Sequence, residues 1–253
     1  MSTPQFVVTG AASGIGAATL AVLEAAGHRC LAIDRNLIPG KEFLACDLAD
    51  ESSIDACIEA IDGPVDGVAH VAGIAGTAEA AQVVKVNYLG ARRFIEKLSP
   101  KITEGGSVVF VSSLAARRCV WDAARLRAML GLSNWREALV ALGVPGLGGG
   151  EAYELAKRLL LAWLPLAAAS GAARRIRFNA VTPGPVETPL LSGFRQSMGE
   201  DRIEAARSLV GRHALPEEVA APIFFLLSPV SSWVNGTEIV ADGGLSALRE
   251  AAA

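Results

Sequence analysis

The sequence has little of what a metal site or a disulfide framework requires. It contains three histidines and four cysteines, and Cys30, Cys46, Cys57 and Cys119 form no C-x-x-C pair. The histidines also lack the spacing of zinc ligands, so no metal site is expected. With no secretion signal, the cysteines are predicted to be reduced and mostly buried thiols of a cytoplasmic protein.

The sequence also lacks the features of membrane and nucleic-acid-binding proteins. The amino-terminal stretch MSTPQFVVTG has no cationic region followed by an apolar one, which argues against a signal peptide. The longest apolar run, residues 159–169, contains Pro165 and is far shorter than the roughly 20 residues of a membrane-spanning helix. A formal net charge of -3 provides no basic surface for nucleic acid or an anionic membrane. We therefore expect neither kind of partner.

Hydrophobic residues make up 51% of the 253 residues, and they cluster in short runs between alanine-rich stretches. Such runs are typical of buried parallel strands joined by crossover helices, which cover both faces of one open sheet. The pattern predicts an α/β fold: a doubly wound, Rossmann-like parallel sheet in a single domain spanning residues 1–253. The strands are predicted at residues 6–8, 30–33, 43–45, 65–71, 107–111, 176–181 and 238–240.

A glycine-rich turn follows the first predicted strand, at the sheet edge where such folds bind ligands. Its sequence is TGAASGIG, residues 9–16. Gly10, Gly14 and Gly16 let the backbone approach a pyrophosphate, and the following helix offers free N–H groups and its positive dipole end. The spacing G-x-x-x-G-x-G differs from the commoner G-x-G-x-x-G. A purely structural turn is therefore the alternative interpretation.

Asp34 ends the second predicted strand. It lies close to the roughly 20 residues beyond the glycines at which an acid meets the adenosine ribose. A carboxylate accepts a hydrogen bond from a free 2′-hydroxyl and repels a 2′-phosphate, so Asp34 favours NAD over NADP. Arg35 is able to pair with a phosphate, which leaves NADP open as the less favoured cofactor. The alternative for Asp34 is a solvated acid at a strand end.

Tyr153 and Lys157 share one face of a predicted helix, because positions i and i+4 are neighbours. A phenol is normally a poor base, since its pKa is near 10. A nearby ammonium, or an oxidised nicotinamide, stabilises the phenolate and lowers that pKa. The phenol is then suited to act as a base in alcohol oxidation and as an acid in carbonyl reduction. Taken alone, the Y-x-x-x-K spacing is common, and chance placement is the alternative.

The order of these and further motifs resembles the classical short-chain dehydrogenases/reductases over nearly the whole chain. Within that family, the bacterial 3α-hydroxysteroid dehydrogenase/carbonyl reductase branch is the most similar, through residues 20–28, 33–34 and 187–191 and a long insertion. The resemblance implies an NAD-dependent oxidoreductase that interconverts a secondary alcohol and a ketone, with a bulky apolar or steroid-like substrate. The remaining motifs are CDL at residues 46–48, VAG at 71–73, VNY at 86–88, VSS at 111–113, PG at 183–184 and ADGG at 241–244.

The resemblance also implies roles for individual residues. Ser113, the second serine of its pair, would bind the substrate oxygen, and Tyr153 would exchange the proton. Lys157 would hold the ribose hydroxyls and tune Tyr153, and Asn87 would order a water that links Lys157 to solvent. Asp47 and Leu48 would flank the adenine. The complete implied cofactor site is Gly10, Ser13, Gly14, Ile15, Gly16, Asp34, Asp47, Leu48, Ala72, Gly73, Tyr153, Lys157, Gly184, Val186 and Thr188.

The sequence departs from the family pattern at two places. His70 and Val71 stand where the family often has two asparagines, and His70 is interpreted as a strand-end residue rather than a catalyst. The distance from Ser113 to Tyr153 exceeds the family's usual one, which indicates a helical insertion at residues 119–150. Its helices are predicted near residues 122–130 and 133–142, with Ser133 as a cap. The insertion would rim the substrate cleft or block a surface through which such enzymes associate.

Residues 190–212 are predicted to form a lid over the substrate. Their apolar side chains, Leu190, Leu191, Phe194 and Met198, suit an apolar substrate but also ordinary helix packing. Apolar helices at residues 155–166 and 220–227 predict a homodimer or homotetramer. The alternative functions are an NAD-binding regulatory or scaffold protein without turnover, and a transferase with an S-adenosyl cofactor.

Overall fold

The apolar runs form one parallel sheet in the computed structural model, which describes residues 3–252. Within that range the sheet has seven strands in the order β3-β2-β1-β4-β5-β6-β7. The order reverses between β1 and β4, and this is the point at which doubly wound sheets bind ligands. The strands are β1 (Gln5–Thr9), β2 (Arg29–Asp34), β3 (Phe43–Ala45), β4 (Val65–His70), β5 (Ile102–Val111), β6 (Arg177–Pro183) and β7 (Glu238–Ala241).

Helices cover both faces of the sheet, which confirms the predicted Rossmann-like fold. The described helices are α1 (Gly14–Ala25), α2 (Glu51–Glu59), α3 (Ala80–Val84), α4 (Ala91–Leu98), α5 (Ala123–Leu130), α6 (Trp135–Ala141), α7 (Gly149–Gly171), α8 (Leu190–Met198), α9 (Glu200–Val210), α10 (Pro216–Leu227) and α11 (Leu245–Ala251). A π-helical turn, Lys85–Gly90, joins α3 to α4. Within residues 3–252 no helix combines the length and the apolar character needed to cross a bilayer.

The side chains of β5 point alternately into two apolar cores, which explains why its sequence is continuously apolar. Val108 and Phe110 pack into the core formed with α2, α4 and α7. Val109 and Val111 point the other way, into the core formed with α1 and α10. Because successive side chains of a strand point to opposite faces, a strand covered on both faces needs apolar residues at every position.

The two helices α5 and α6 lie where the sequence predicts the insertion. Asp122 caps α5 by accepting from Arg125 N at 2.7 Å. The cap of α6 is Asn134, whose Oδ1 accepts from Glu137 N at 3.1 Å. The predicted cap at Ser133 is therefore wrong by one residue. Serine and asparagine are both preferred N-cap residues, so the sequence does not decide between Ser133 and Asn134.

Helix α5 packs against α7 and covers part of its apolar surface. Leu126 and Leu130 of α5 are buried in the same core as Leu159 and Trp163 of α7. Arg92 on α4 fixes the end of α5 by donating to the Leu130 carbonyl at 2.6 Å. Part of the apolar surface of α7 is thus covered within the chain, whereas Leu166 of α7 stays 51% exposed.

The segment that carries α8 and α9 leaves the body of the protein and returns to it at one place. Val186 forms an isolated parallel bridge with Ala214. Glu187 N donates to the Ala214 carbonyl at 2.8 Å, and Ala214 N donates to the Pro185 carbonyl at 3.1 Å. The buried ring of His213 adds a contact of 2.7 Å from Nδ1 to Glu187 Oε1. Both ends of the segment are therefore fixed beside each other.

Candidate active site

A cleft of about 290 Å³ opens at the carboxyl ends of β1, β2 and β4. The predicted cofactor residues that line it are Gly10, Ser13, Gly14, Ile15, Gly16, Asp34, Asp47, Leu48, Ala72, Gly73 and Thr188. The cleft is also lined by residues that the predicted cofactor site does not include: Thr9, Ile33, Arg35, Asn36, Cys46, Val71, Ile74, Val86, Pro189 and Leu190. Most of these residues directly follow the end of a strand or adjoin a predicted cofactor residue. The predicted ends of the strands would therefore have identified them.

The glycine turn has the shape that a diphosphate requires. A Cβ at Gly16 would collide with the Gly10 carbonyl oxygen, and one at Gly10 would lie 2.8 Å from the Ala72 nitrogen. Gly10 also has φ of 70°, which favours glycine. At the start of α1 the Ser13 side chain makes no capping bond, and the first turn carries no acidic residue. The N–H groups there are thus oriented towards the cleft as donors for an anion.

The Asp34 carboxylate is held in place by the backbone. Its Oδ2 accepts from Ala12 N at 3.0 Å, and its Oδ1 accepts from Asn36 N at 2.9 Å. Each oxygen keeps a second lone pair for another donor. The carboxylate is therefore oriented at the rim of the cleft and is able to accept hydroxyl groups there.

The next pair of predicted residues follows β3. Asp47 N donates to Ser53 Oγ at 2.9 Å, and Asp47 Oδ1 accepts from Ala49 N at 2.9 Å. Leu48 is buried, and its carbonyl stands where a Cβ at Gly90 would lie. These contacts fix an apolar and an acidic side chain at the wall of the cleft.

The phenol of Tyr153 lies on α7, with a ring that is 4% exposed. Burial raises the pKa of Tyr153 to about 12, and a hydrogen bond with the Ser113 hydroxyl opposes that rise. Ser113 Oγ also accepts from Ala115 N at 3.2 Å, at the start of a 3₁₀ turn after β5. Burial and the Ser113 hydroxyl thus account for the shift in the Tyr153 pKa, and the lowering expected from Lys157 does not contribute to it.

Lys157 is buried one helical turn after Tyr153. Its Nζ donates to the Val111 carbonyl at 2.8 Å and lies 5.8 Å from the centroid of the Tyr153 ring. Burial lowers the pKa of Lys157 to about 8. Ser112 Oγ donates to the Lys157 carbonyl at 3.0 Å, so the first serine of the pair supports α7 and the second faces the phenol.

Asn87 connects the catalytic side of the site to the cleft. It lies in the π-helical turn, and its side chain pairs with the backbone of Ile74, accepting from N at 3.0 Å and donating to O at 2.9 Å. A Cβ at Gly73 would lie 2.6 Å from Asn87 Oδ1 and 3.4 Å from Lys157 Nζ. The side-chain amide is therefore held against the backbone of Ile74, close to the place of Gly73 between the cleft and Lys157.

Comparisons with known proteins agree with this geometry. The sequence model described as short chain dehydrogenase matches residues 5–123, and one described as Enoyl-(Acyl carrier protein) reductase matches residues 140–246. Coniferyl-alcohol dehydrogenase of Pseudomonas sp. is 35% identical over 97% of this chain and 98% of its own. The 3-alpha-hydroxysteroid dehydrogenase/carbonyl reductase of Comamonas testosteroni is 34% identical over 96% of both.

The chain belongs to the short-chain dehydrogenase/reductase family. Among solved structures, the 3-alpha-hydroxysteroid dehydrogenase from Pseudomonas sp. B-0831, complexed with NADH, superposes with a TM-score of 0.84. It is 32% identical and covers 98% of this chain and 99% of that one. The protein is accordingly an oxidoreductase that acts on alcohol or carbonyl compounds with a nicotinamide cofactor.

Four predicted cofactor residues of this short-chain dehydrogenase/reductase do not line the cleft: Tyr153, Lys157, Gly184 and Val186. Gly184 instead borders a second cavity of about 400 Å³, and its N–H donates to the Ala241 carbonyl at 3.2 Å. Val186 is buried in the bridge to Ala214. Thr188 does reach the cleft, where it stands against Gly14.

Helix α8 covers the phenol in this short-chain dehydrogenase/reductase. The Phe194 ring meets the Tyr153 ring edge-on, with centroids 5.1 Å apart. Gly193 packs against Ala75, and the Ser197 carbonyl packs against Gly150. The segment predicted as a lid is thus seated on the site, which separates Tyr153 from the open cleft. No cluster of three or more potential metal ligands occurs among the described residues.

Proposed function

We propose that this protein is an NAD-dependent oxidoreductase that interconverts a bulky, apolar secondary alcohol and its ketone. The observation that carries the proposal is the convergence of Ser113, Tyr153 and Lys157 beside a cleft with an aspartate at its far end. When bound, the cofactor supplies the hydride donor or acceptor and, in its oxidised form, a positive charge. The chain supplies orientation, proton transfer and the exclusion of water.

The proposed proton transfer takes place at the phenol oxygen of Tyr153. The hydroxyls of Ser113 and Tyr153 together hold the substrate oxygen. In oxidation Tyr153 Oη takes the hydroxyl proton, and in reduction it returns that proton to the carbonyl oxygen. Lys157 Nζ would stabilise the phenolate and would hold the ribose hydroxyls of the cofactor. Asn87 would help to order the water that links Lys157 to solvent.

The Asp34 carboxylate supports the proposal of NAD over NADP. We expect Asp34→Asn, which keeps the shape and removes the charge, to weaken NAD binding and to relieve the repulsion of a 2′-phosphate. The ratio of kcat/KM for NAD to that for NADP should fall about tenfold or more. Steady-state kinetics with both cofactors measure it. Asp47→Asn is the matched control, because this second carboxylate of the cleft is assigned to the adenine side; an equal change there would contradict the role of Asp34.

The apolar lid supports the proposed substrate class. Leu190, Leu191, Phe194 and Met198 all lie on α8, and Phe194 touches the phenol ring. The relatives named for coniferyl alcohol and for 3-alpha-hydroxysteroids suggest substrates with a carbon ring. A panel of ring-containing alcohols and ketones, steroids and cinnamyl alcohols included, should give NADH formation or consumption. Binding of NADH without turnover on any of them would favour a regulatory or scaffold protein.

We also propose that the protein is a homodimer or homotetramer, associated through the face around β7. Trp233 is 99% exposed and Val230 is 82% exposed, and both lie between α10 and this edge strand in the chain. Burial of a tryptophan removes on the order of 150–250 Å² from water. We expect Trp233→Ser to reduce the molar mass in light scattering, whereas Val120→Ser, on the insertion, should not. A wild-type monomer would contradict the proposal.

A further inference from the structure

His70 is a buried titratable group to which the proposed mechanism gives no role. It ends β4 and is 2% exposed. Burial and, to a lesser extent, the nearby charge of Lys157 lower the pKa of His70 to about 3. The ring is therefore neutral over the whole range in which an enzyme of this kind works. A neutral imidazole has one nitrogen that donates and one that accepts.

The hydroxyl of Thr9 determines which ring nitrogen accepts. Thr9 Oγ1 is the acceptor for the backbone N–H groups of Val71 and Ala72, each at 3.2 Å. Its third contact is with His70 Nδ1, at 3.1 Å. A hydroxyl oxygen has two lone pairs and one proton. Because the two amides take the lone pairs, the Thr9 proton goes to Nδ1. The ring proton is then carried by Nε2, which is buried and has no hydrogen-bond partner among the described residues.

This network reaches the floor of the dinucleotide cleft. Thr9, Val71 and Ala72 all line the cleft, and His70 does not. The Ala72 nitrogen lies only 2.8 Å from where a Cβ at Gly10 would be, so the backbone of Ala72 touches the glycine turn. Without an acceptor at Nδ1, the Thr9 hydroxyl would turn to another partner and release one of the two amides.

We propose that His70 is a positioning residue for the dinucleotide: its unprotonated Nδ1 accepts the Thr9 hydroxyl and so fixes Val71 and Ala72 against the glycine turn. The inference rests on the proposed dinucleotide site. His70 would affect cofactor binding without touching the cofactor. It stands at a position where the family pattern has a different side chain.

A matched pair of substitutions tests this role. Asparagine and leucine have the same shape, but only asparagine offers an acceptor near the place of Nδ1. We expect His70→Asn to bind NADH as the unmodified protein does, and His70→Leu to raise the Kd for NADH about tenfold, because a buried donor loses its partner. In both variants kcat at saturating cofactor and KM for the alcohol should stay unchanged. Equal loss in both variants, or loss in neither, would overturn the inference.

Two further measurements separate this role from a merely structural one. In a Thr9→Val background, which lacks the hydroxyl, His70→Leu should cause no additional loss of NADH binding. In the unmodified protein, which has three histidines, ¹⁵N spectra should show His70 with a protonated Nε2 and a bare Nδ1 from about pH 5 to about pH 9. A protonated Nδ1 would overturn the inference. Failure of the unmodified protein to bind either NADH or NADPH would instead contradict the proposed function.

Discussion

Tyr153→Phe should abolish most of the turnover while NADH still binds. The substitution removes one oxygen from a ring that is otherwise buried, so packing against Phe194 is kept. General acid–base catalysis contributes roughly 10²- to 10⁴-fold, and the loss of kcat should fall in that range. Stopped-flow or steady-state assays of NADH, combined with a fluorescence titration of NADH binding, separate the two effects.

The protein contains a second tyrosine that serves as the control. Tyr88 is also buried, and its hydroxyl lies 3.5 Å from Arg92 Nη1 of α4. Tyr88→Phe should retain kcat, even if it lowers the melting temperature. Substantial turnover in Tyr153→Phe, or an equal loss in Tyr88→Phe, would remove the phenol of Tyr153 from its proposed place in the reaction.

The pH dependence should have opposite signs in the two directions. Burial raises the pKa of Tyr153 to about 12, so the phenol of the free protein is protonated near neutral pH. That form is the acid needed for carbonyl reduction. Alcohol oxidation needs the phenolate, so kcat for oxidation should rise and kcat for reduction should fall as pH increases towards the pKa of Tyr153. Both slopes should disappear in Tyr153→Phe.

Lys157→Met should reduce kcat and also weaken cofactor binding. Methionine fills a similar volume but has no charge and no donor for Val111, the phenolate or a ribose hydroxyl. Loss of one such oriented donor typically costs roughly 10²- to 10³-fold in kcat. The combined loss distinguishes this variant from Tyr153→Phe, which should affect kcat alone. Steady-state kinetics and an NADH titration on the same preparation provide both values.

Lys101 provides a matched control for this substitution. Its Nζ also donates to backbone carbonyls, those of Ile58 and Ile61, at 2.7 and 2.6 Å. It lies at the start of β5, at the edge of the sheet opposite the cleft. Lys101→Met should lower stability and leave kcat unchanged. If Lys157→Met behaved in the same way, Lys157 would be a structural residue.

The parts of the fold that were predictable from the sequence are those set by burial on two faces. The seven strands were located to within a few residues because each is a run of apolar side chains between breaks. β5 begins at Ile102, earlier than predicted, because its first residues include Glu104 and Gly105, which are exposed. These first residues of β5 are buried on one face or on neither, so they do not form a run of apolar side chains in the sequence.

The parts of the site that were not predictable depend on contacts between distant residues. The network of Thr9, His70 and Ala72 requires β1 and β4 to be adjacent, which no local pattern indicates. The packing of α5 on part of the apolar surface of α7 likewise depends on residues that are distant in the sequence. The exposure of Trp233 was also not predictable, because tryptophan is usually buried. No element of the described chain covers it.

The bridge between Val186 and Ala214 has a consequence for evolution of the substrate range. Everything between these two residues is a loop whose ends are already held together, so the entropy of closing it changes only slowly with its length. Thr188 packs against Gly14 of the glycine turn, but we expect changes in the length of the segment beyond it to leave β6 and α10 in place. We therefore expect this segment to tolerate changes of length and sequence while Ser113, Tyr153 and Lys157, which lie outside it, keep their places.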